Sequence, residues 1–363
     1  MIDRLNAGAA RPRVDIDLDA IAANYRYLRS KAPAAEAGAV VKCDAYGLGV
    51  VEAARMLAEQ GGCRSFFVAY AHEGAVLRGA LASGRPDATI YVFNGPDDVN
   101  LDAFAENNLI PVLNSFEQAR RWTEARPGAA AAIHIDTGMN RLGAPAGELD
   151  AIIGLDGLSP TLVMSHLACS SVPAHPMNER QRRDFIAAAG RFPAARRSLA
   201  ASGGTLMGRD YHFDLLRAGV SIYGVGPFDA PHDGLRPTAR LTAPVLQLRR
   251  APAGASAGYG ATCTLSRESL LATVALGYGD GYPRAAGNRG AAFIGGARAP
   301  IVGRVSMDLI ILDVTDAPKP VKIGDRAEFF GPNLAIEDAA AACGTIGYEL
   351  LTGLGGRTER HYV

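Results

Sequence analysis

The chain has 363 residues, 48% of them hydrophobic and 7% aromatic, with 37 Lys+Arg set against 37 Asp+Glu. That length exceeds a usual single domain, so one large barrel followed by a smaller domain is the expected organisation. Zero formal net charge supplies no broad cationic field, which argues against nucleic acid or an anionic membrane surface and leaves small neutral or zwitterionic molecules as the expected partners.

Eight candidate strands alternate with helical patterns through the first two-thirds of the chain. In order they are AGAVVK (37–42), SFFVAY (65–70), ATIYVF (88–93), LIPVL (109–113), AAIHID (131–136), TLVMSHL (161–167), RSLAAS (197–202) and GVSIYG (219–224). Amphipathic stretches at 18–31, 50–60 and 178–190 lie between them as crossover helices. Eight strands joined this way predict an α/β fold: an N-terminal (β/α)8 TIM-like barrel over 1–235. From 236 to 363 the runs VLQLRR, LLATVALGY, APIVGRVSM and DLIILDVTD predict a β-rich C-terminal domain, with GLRPTAR (234–240) as the junction. One helix is expected over 334–355.

The five cysteines, at 43, 63, 169, 263 and 343, are odd in number and scattered without a CxxC pair. Neither a disulfide framework nor a metal site is expected, and a reducing cytoplasm is the expected location. The segment MIDRLNAGAARPRVDIDLDA lacks the apolar core of a signal peptide, and no apolar run reaches membrane-spanning length.

Catalytic groups of such barrels stand at the C-terminal ends of the strands. Lysine occurs only at 31, 42, 319 and 322 in this arginine-rich chain, so Lys42 directly after AVV is an unusual place for a solvated charge. A lysine in a semi-apolar barrel mouth has a lowered pKa and can form a Schiff base with an aldehyde; equally, it can be a structural lysine paired with Asp44. Arg141, in DTGMNRLG, is either a bidentate carboxylate holder or a solvent-facing arginine. His166, in MSHLACS, is a polar group at the mouth or a satisfied core histidine. Ser202 with the amides around Gly219 and Val220 falls where barrels build phosphate sites, and Arg217 sits just ahead.

These segments resemble the alanine racemase family. VVKCDAYGLG is similar to that family's pyridoxal phosphate attachment segment, and DTGMNRLG, MSHLACS, the NERQ helix, YHFDLLRAGVSIYG, GYGATCTL, ALGYGDGYPR, GRVSMDL and GTIGYELLTGLG follow in the family's order. The resemblance implies that Lys42 holds pyridoxal 5'-phosphate and acts as base on one face of the amino acid, and that Tyr259 of the partner subunit serves the opposite face. It implies Arg217 facing the pyridine nitrogen, oriented by His166, with phosphate contacts from Tyr46, Ser202, Gly219, Val220 and Tyr362. Arg141 and the Met307 backbone would address the substrate carboxylate beside Asp308, and Tyr278 and Arg284 would line an entrance built across a homodimer.

The chain departs from the family pattern at several points. His134 stands where many members carry a carbamylated lysine that braces the active-site arginine. Ala201 replaces the asparagine before the phosphate serine, Ala218 a proline, Ser306 a cysteine, and Ser170–Ser171 an Ala-Asp pair. The implied activity is interconversion of L- and D-alanine for peptidoglycan synthesis or for catabolism. A broader or serine-preferring racemase on the same scaffold is the nearest rival, and a decarboxylase of the same architecture is weaker because GYGATCTL and GRVSMDL match the racemase pattern. A non-catalytic carrier of the same cofactor would have no use for Tyr259.

Overall fold

A computed structural model describes residues 11–363. The expectation that the first segment is not a signal peptide concerns mainly residues 1–10, which lie outside the described residues. Among the described residues, no helix is long and apolar enough to cross a membrane.

Two compact units divide the chain. One comprises Asp19–Phe228 with His232–Arg236, and the other the N-terminal stretch to Leu18, Asp229–Pro231 and Pro237–Val363. The first strand, β1 (Arg13–Ile16), belongs to the second unit, whereas the sequence boundary placed everything up to 235 in the barrel. Its four residues carry no helix-joined neighbour pattern that would assign them to either sheet.

The barrel unit contains β2 (Glu36–Val40), β3 (Ser65–Val68), β4 (Thr89–Val92), β5 (Leu109–Leu113), β6 (Ala130–His134), β7 (Ser159–Met164), β8 (Arg196–Ser198) and β9 (Leu215–Ala218). They pair in the order β8-β7-β6-β5-β4-β3-β2-β9, parallel at every junction. The circle closes where the Arg217 N–H donates to the Ala200 carbonyl at 2.9 Å. Strands covered on both faces read as continuous apolar runs, and SFFV of β3 is buried at all four positions. Gly38 is required by close approach: a Cβ there would lie 2.8 Å from the Phe67 ring and 3.1 Å from two backbone carbonyls.

The eighth barrel strand is LLRA, at 215–218, and VSIY of the expected GVSIYG strand forms a one-turn 3-10 helix, Val220–Tyr223. A charged residue inside LLRA hides a run that is fully buried, while Gly219 and the left-handed Gly224 (φ 79°) let VSIY turn. The crossover helices Leu18–Ser30, Val50–Glu59 and Pro176–Ala189 fall on the predicted stretches.

The second unit is built on β10 (Ala239–Ala251), β11 (Ser256–Ala257), β12 (Cys263–Thr264), β13 (Ser269–Val274), β14 (Ala291–Ile294), β15 (Ala297–Pro300), β16 (Ile310–Asp313), β17 (Arg326–Phe330) and β18 (Glu359–Tyr362). Its sheet runs β15-β14-β17-β10-β1-β18, and β13 and β16 extend from β10. All pairs are antiparallel except β1 with β18. The single helix expected over 334–355 is two, Ile336–Cys343 and Gly347–Thr352, because the chain turns left-handed at Gly344 (φ 71°).

Candidate active site

Lys42 follows the end of β2 and opens an uncommon turn. Cys43, Asp44, Ala45 and Tyr46 all have φ between 53° and 57°, four consecutive non-glycine residues in the left-handed region. Each such residue costs roughly 1–2 kcal/mol, so surrounding bonds must hold the turn. Asp44 Oδ1 accepts from the Val50 N–H at 2.7 Å, and Glu73 Oε1 accepts from the Cys43 N–H at 2.7 Å. The Asp44 carboxylate is thus engaged with backbone, and Lys42 makes no ion pair among the described residues. Its amine lies 5.9 Å from the centre of the Phe93 ring. Burial and then the nearby Arg141 charge lower the Lys42 pKa, with Glu73 and Cys43 acting the other way.

Arg217, in the middle of β9, is 1% exposed. Its Nη1 donates to Ser198 Oγ at 2.6 Å, and its Nη2 donates to the carbonyls of Ser165 and Leu199 and lies 3.5 Å from His166 Nδ1. All four partners are neutral groups. Burial pulls the guanidinium down to about 9, which leaves it a cation at neutral pH. Ser198 Oγ in turn donates to the Leu215 carbonyl, so this hydroxyl joins β8 to β9 and braces the arginine between them.

His166 follows β7. Burial, then Arg217, Arg141, His134 and Lys42, hold its imidazole well below the ordinary value. Gln181, from the helix Pro176–Ala189, receives the Ala168 N–H and donates to the His166 carbonyl and to Thr137 Oγ1, tying the ends of β6 and β7 together. Arg141 is exposed, with no ion pair or hydrogen bond among the described residues. The loop carrying it is shaped by Asp136, whose carboxylate accepts the N–H groups of Gly138, Met139 and Asn140 at 2.8–2.9 Å.

His134 ends β6 and is buried. Its Nδ1 meets Asn114 Oδ1 at 2.9 Å, and burial with the charges of Arg217 and Arg141 lowers its pKa to about 3. Ser202 is buried at the start of Ser202–Met207, and its Oγ accepts from the N–H groups of Gly219 and Ser221 at 3.0 and 3.3 Å. The Gly219 amide predicted for a phosphate is therefore taken up by Ser202 here. The Tyr46 ring packs on Tyr223, with centroids 4.8 Å apart, and a Cβ on Gly219 would meet its hydroxyl at 2.6 Å. Ser170 lies against Gly203, whose Cβ would come within 2.8 Å of it.

The second unit holds the remaining candidates. Tyr259 is 73% exposed on a one-turn helix flanked by left-handed Gly258 and Gly260. Tyr278 and Met307 are brought together by backbone: the Tyr278 N–H donates to the Ser306 carbonyl at 3.0 Å and the Gly279 N–H to the Met307 carbonyl at 2.8 Å. The Met307 N–H has no partner among the described residues. Arg357 bridges the two segments, with Nε 3.0 Å from Asp280 and Nη1 2.8 Å from Asp308. Arg284 is exposed on the short helix Arg284–Ala286, and Tyr362 ends β18 opposite Ile16. Sequence reasoning missed Glu73, Asn114, Gln181, Ser198 and Arg357. They act on the site through backbone or through another side chain, and only the NERQ segment gave a trace of one of them.

A (β/α)8 barrel with a lysine at a strand end and a β unit presenting an exposed tyrosine defines a small class of enzymes. Family models described as "Alanine racemase, N-terminal domain" and "Alanine racemase, C-terminal domain" match residues 16–227 and 238–362. The chain is 44% identical over 357 residues to the alanine racemase of Rhodospirillum rubrum, covering 96% of this chain and 94% of that protein. It is 43% identical over 374 residues to that of Rhizobium meliloti, covering 98% and 97%. The crystal structure of alanine racemase from Bartonella henselae with covalently bound pyridoxal phosphate superposes with a TM-score of 0.91 at 36% identity, over 98% of this chain and all of that one. The chain belongs to the alanine racemase family.

Pyridoxal phosphate fits the barrel unit. Lys42, His134, Arg141, His166 and Arg217 bear on one another electrostatically, and with both imidazoles held neutral the positive field that favours an anion comes from the two arginines. Beside them the Gly219 backbone is approached so closely by the Tyr46 hydroxyl that a Cβ there would lie 2.6 Å from it, so no side chain intrudes at this end of the strand.

Proposed function

We propose that this chain is a racemase that interconverts L- and D-alanine with pyridoxal phosphate. The observation that carries the reading is the presence in one barrel unit of Lys42, a half-buried lysine at a strand end whose pKa is lowered by burial, and Arg217, a buried cation bonded only to neutral groups. When bound, the cofactor supplies an electron sink for the charge left on the amino acid's Cα. Lys42 holds the cofactor and takes or returns the Cα proton at Nζ on one face. Tyr259 does so at its phenolic oxygen on the other, because inversion without a swinging base requires a group on each side.

Arg217 would hold the cofactor's pyridine nitrogen, and because a guanidinium keeps its own proton it would restrain side reactions that need full protonation there. Tyr46, Ser202, Val220 and Tyr362 would serve the phosphate, with the Gly219 amide acting only through Ser202; Arg141 and the Met307 N–H would hold the substrate carboxylate, and Asp308, Tyr278 and Arg284 would shape the entrance. The engagement of the Gly219 amide by Ser202 supports a phosphate role for the Ser202 hydroxyl, which has a proton to donate outward. The active form is a cytoplasmic homodimer in which each Tyr259 serves the partner subunit's barrel, and its product supplies peptidoglycan precursors or enters catabolism.

Cα-deuterium exchange in D2O with chiral analysis, run over a panel of L- and D-amino acids, tests the reading. Exchange with inversion, fastest for alanine, is the expected result, and inversion of serine in preference would move the substrate to the neighbouring racemase class. Tyr259→Phe is expected to suppress racemisation by about 10²–10⁴-fold while Lys42-side exchange persists from one enantiomer. Equal residual exchange from both enantiomers would exclude the assigned role.

A further inference from the structure

Glu73 lies in the first turn of the helix Ala71–Leu81, after β3, and no motif drew attention to it. Its carboxylate accepts three backbone N–H groups: Cys43 on Oε1 at 2.7 Å, and Ala69 and Tyr70 on Oε2 at 2.7 and 3.1 Å. The bonds to Ala69 and Tyr70 are local and would cap any helix of this kind. The bond to Cys43 reaches 30 positions back along the chain, to the residue directly after Lys42. That residue begins the run of four left-handed non-glycine residues, the costliest backbone in the barrel unit and the one least able to keep its shape unaided.

We propose that Glu73 is a positioning residue for Lys42: one carboxylate oxygen pins the strained turn behind the lysine, and the carboxylate's negative charge is placed beside the lysine amine. The inference rests on the reading of Lys42 as the cofactor lysine. The groups bearing on the amine are Arg141 from the loop after β6, His166 from the end of β7, Cys43 on its own turn, and Glu73. Burial and then Arg141 drive the amine toward its neutral form, and Glu73 opposes them. A carboxylate held by three N–H donors cannot swing away, so its charge stays at a constant distance from Lys42. The clamp therefore sets both where the lysine sits and how readily it sheds its proton. Tyr46, at the far end of the same turn, packs so close to Gly219 that a Cβ there would lie 2.6 Å from its hydroxyl.

The cofactor-free full chain, reductively methylated with 13C-formaldehyde, gives one dimethyl-lysine signal for each of Lys31, Lys42, Lys319 and Lys322, and the Lys42 signal is the one missing from Lys42→Arg. Glu73→Gln keeps an oxygen for the Cys43 N–H and loses the charge. The Lys42 titration midpoint is expected to fall by roughly half a pH unit or more while the other three lysines do not move. An unchanged midpoint, or an equal shift at all four lysines, would overturn the charge assignment. Glu73→Asp keeps the charge and shortens the reach, so amide exchange at Cys43 is expected to quicken by about tenfold or more. Unaltered protection of that amide would overturn the clamp. Both readouts stand apart from turnover, so a chain that fails to racemise alanine and yet shows them would refute the proposed function and leave the clamp intact.

Discussion

His134 shows how one hydrogen bond sets the state of a residue. Asn114 spends its amide N–H groups on the carbonyls of Phe93 and Val112, so the oxygen it turns to His134 must accept. The imidazole proton therefore sits on Nδ1, and Nε2 is left as an acceptor among cations. With its folded pKa near 3 against an ordinary 6.5, the unfolded chain binds the extra proton between those values. Stability from this residue is complete above pH 6.5 and is lost as pH falls toward 3, and His166 is shifted in the same direction. Urea unfolding is expected to show lower stability at about pH 5 than at neutrality, with His134→Phe flattening the difference, and a stability independent of pH over that range would refute the assignment. At this scale the sequence marked the right positions. Lys42 stood out because lysine is scarce in this chain, and His134 because it breaks a pattern. Asn114 and Ser198 could not be seen, because a neutral side chain that braces another has no spacing or composition to betray it.

The turn from Lys42 to Tyr46 and the short helix Val220–Tyr223 meet across a glycine. Because a Cβ at 219 would fall 2.6 Å from the Tyr46 hydroxyl, Gly219→Ala must push the tyrosine out or bend the strand end. A loss of about 1–3 kcal/mol is expected from overpacking, together with weaker retention of pyridoxal phosphate. Thermal unfolding and cofactor titration by fluorescence measure the two effects, and normal values in both would refute the overpacking. Elements were legible where apolar runs were uninterrupted: β5 was read to the residue, and the three crossover helices to within a residue or two. The misreading of β9 has a definite cause. A buried arginine, held by carbonyls and a serine, makes LLRA look like a strand-to-solvent boundary and shifts attention to the next apolar run. The turn at 43–46 has no local signature either, since its left-handed residues are Cys, Asp, Ala and Tyr rather than glycine.

Over the whole chain, the β-rich unit depends on a strand from the other end of the sequence. Val14 and Ile16 of β1 are fully buried, inserted between β10 and β18. Ile16→Ala is expected to cost about 2–5 kcal/mol, with loss of amide protection concentrated in β10 and β18, and protection lost evenly over the barrel strands as well would argue that the units unfold as one. Length and the pattern of apolar runs announced a large barrel and a smaller β-rich companion, but they could not say that β1 belongs with the companion. Four residues of alternating burial, 346 positions from the partner that His361 marks through Asp15, carry no information about where they pair. That pairing also bears on how the protein is made. On the ribosome the barrel strands emerge in an order that lets each find its neighbour soon after it appears, whereas the strand at 13–16 has to wait unpaired until its first partner at 239–242 emerges, and keeps one edge open until the residues at 359–362 follow. For most of synthesis it is an exposed apolar edge, and a chaperone that shields the nascent chain would have its longest task there.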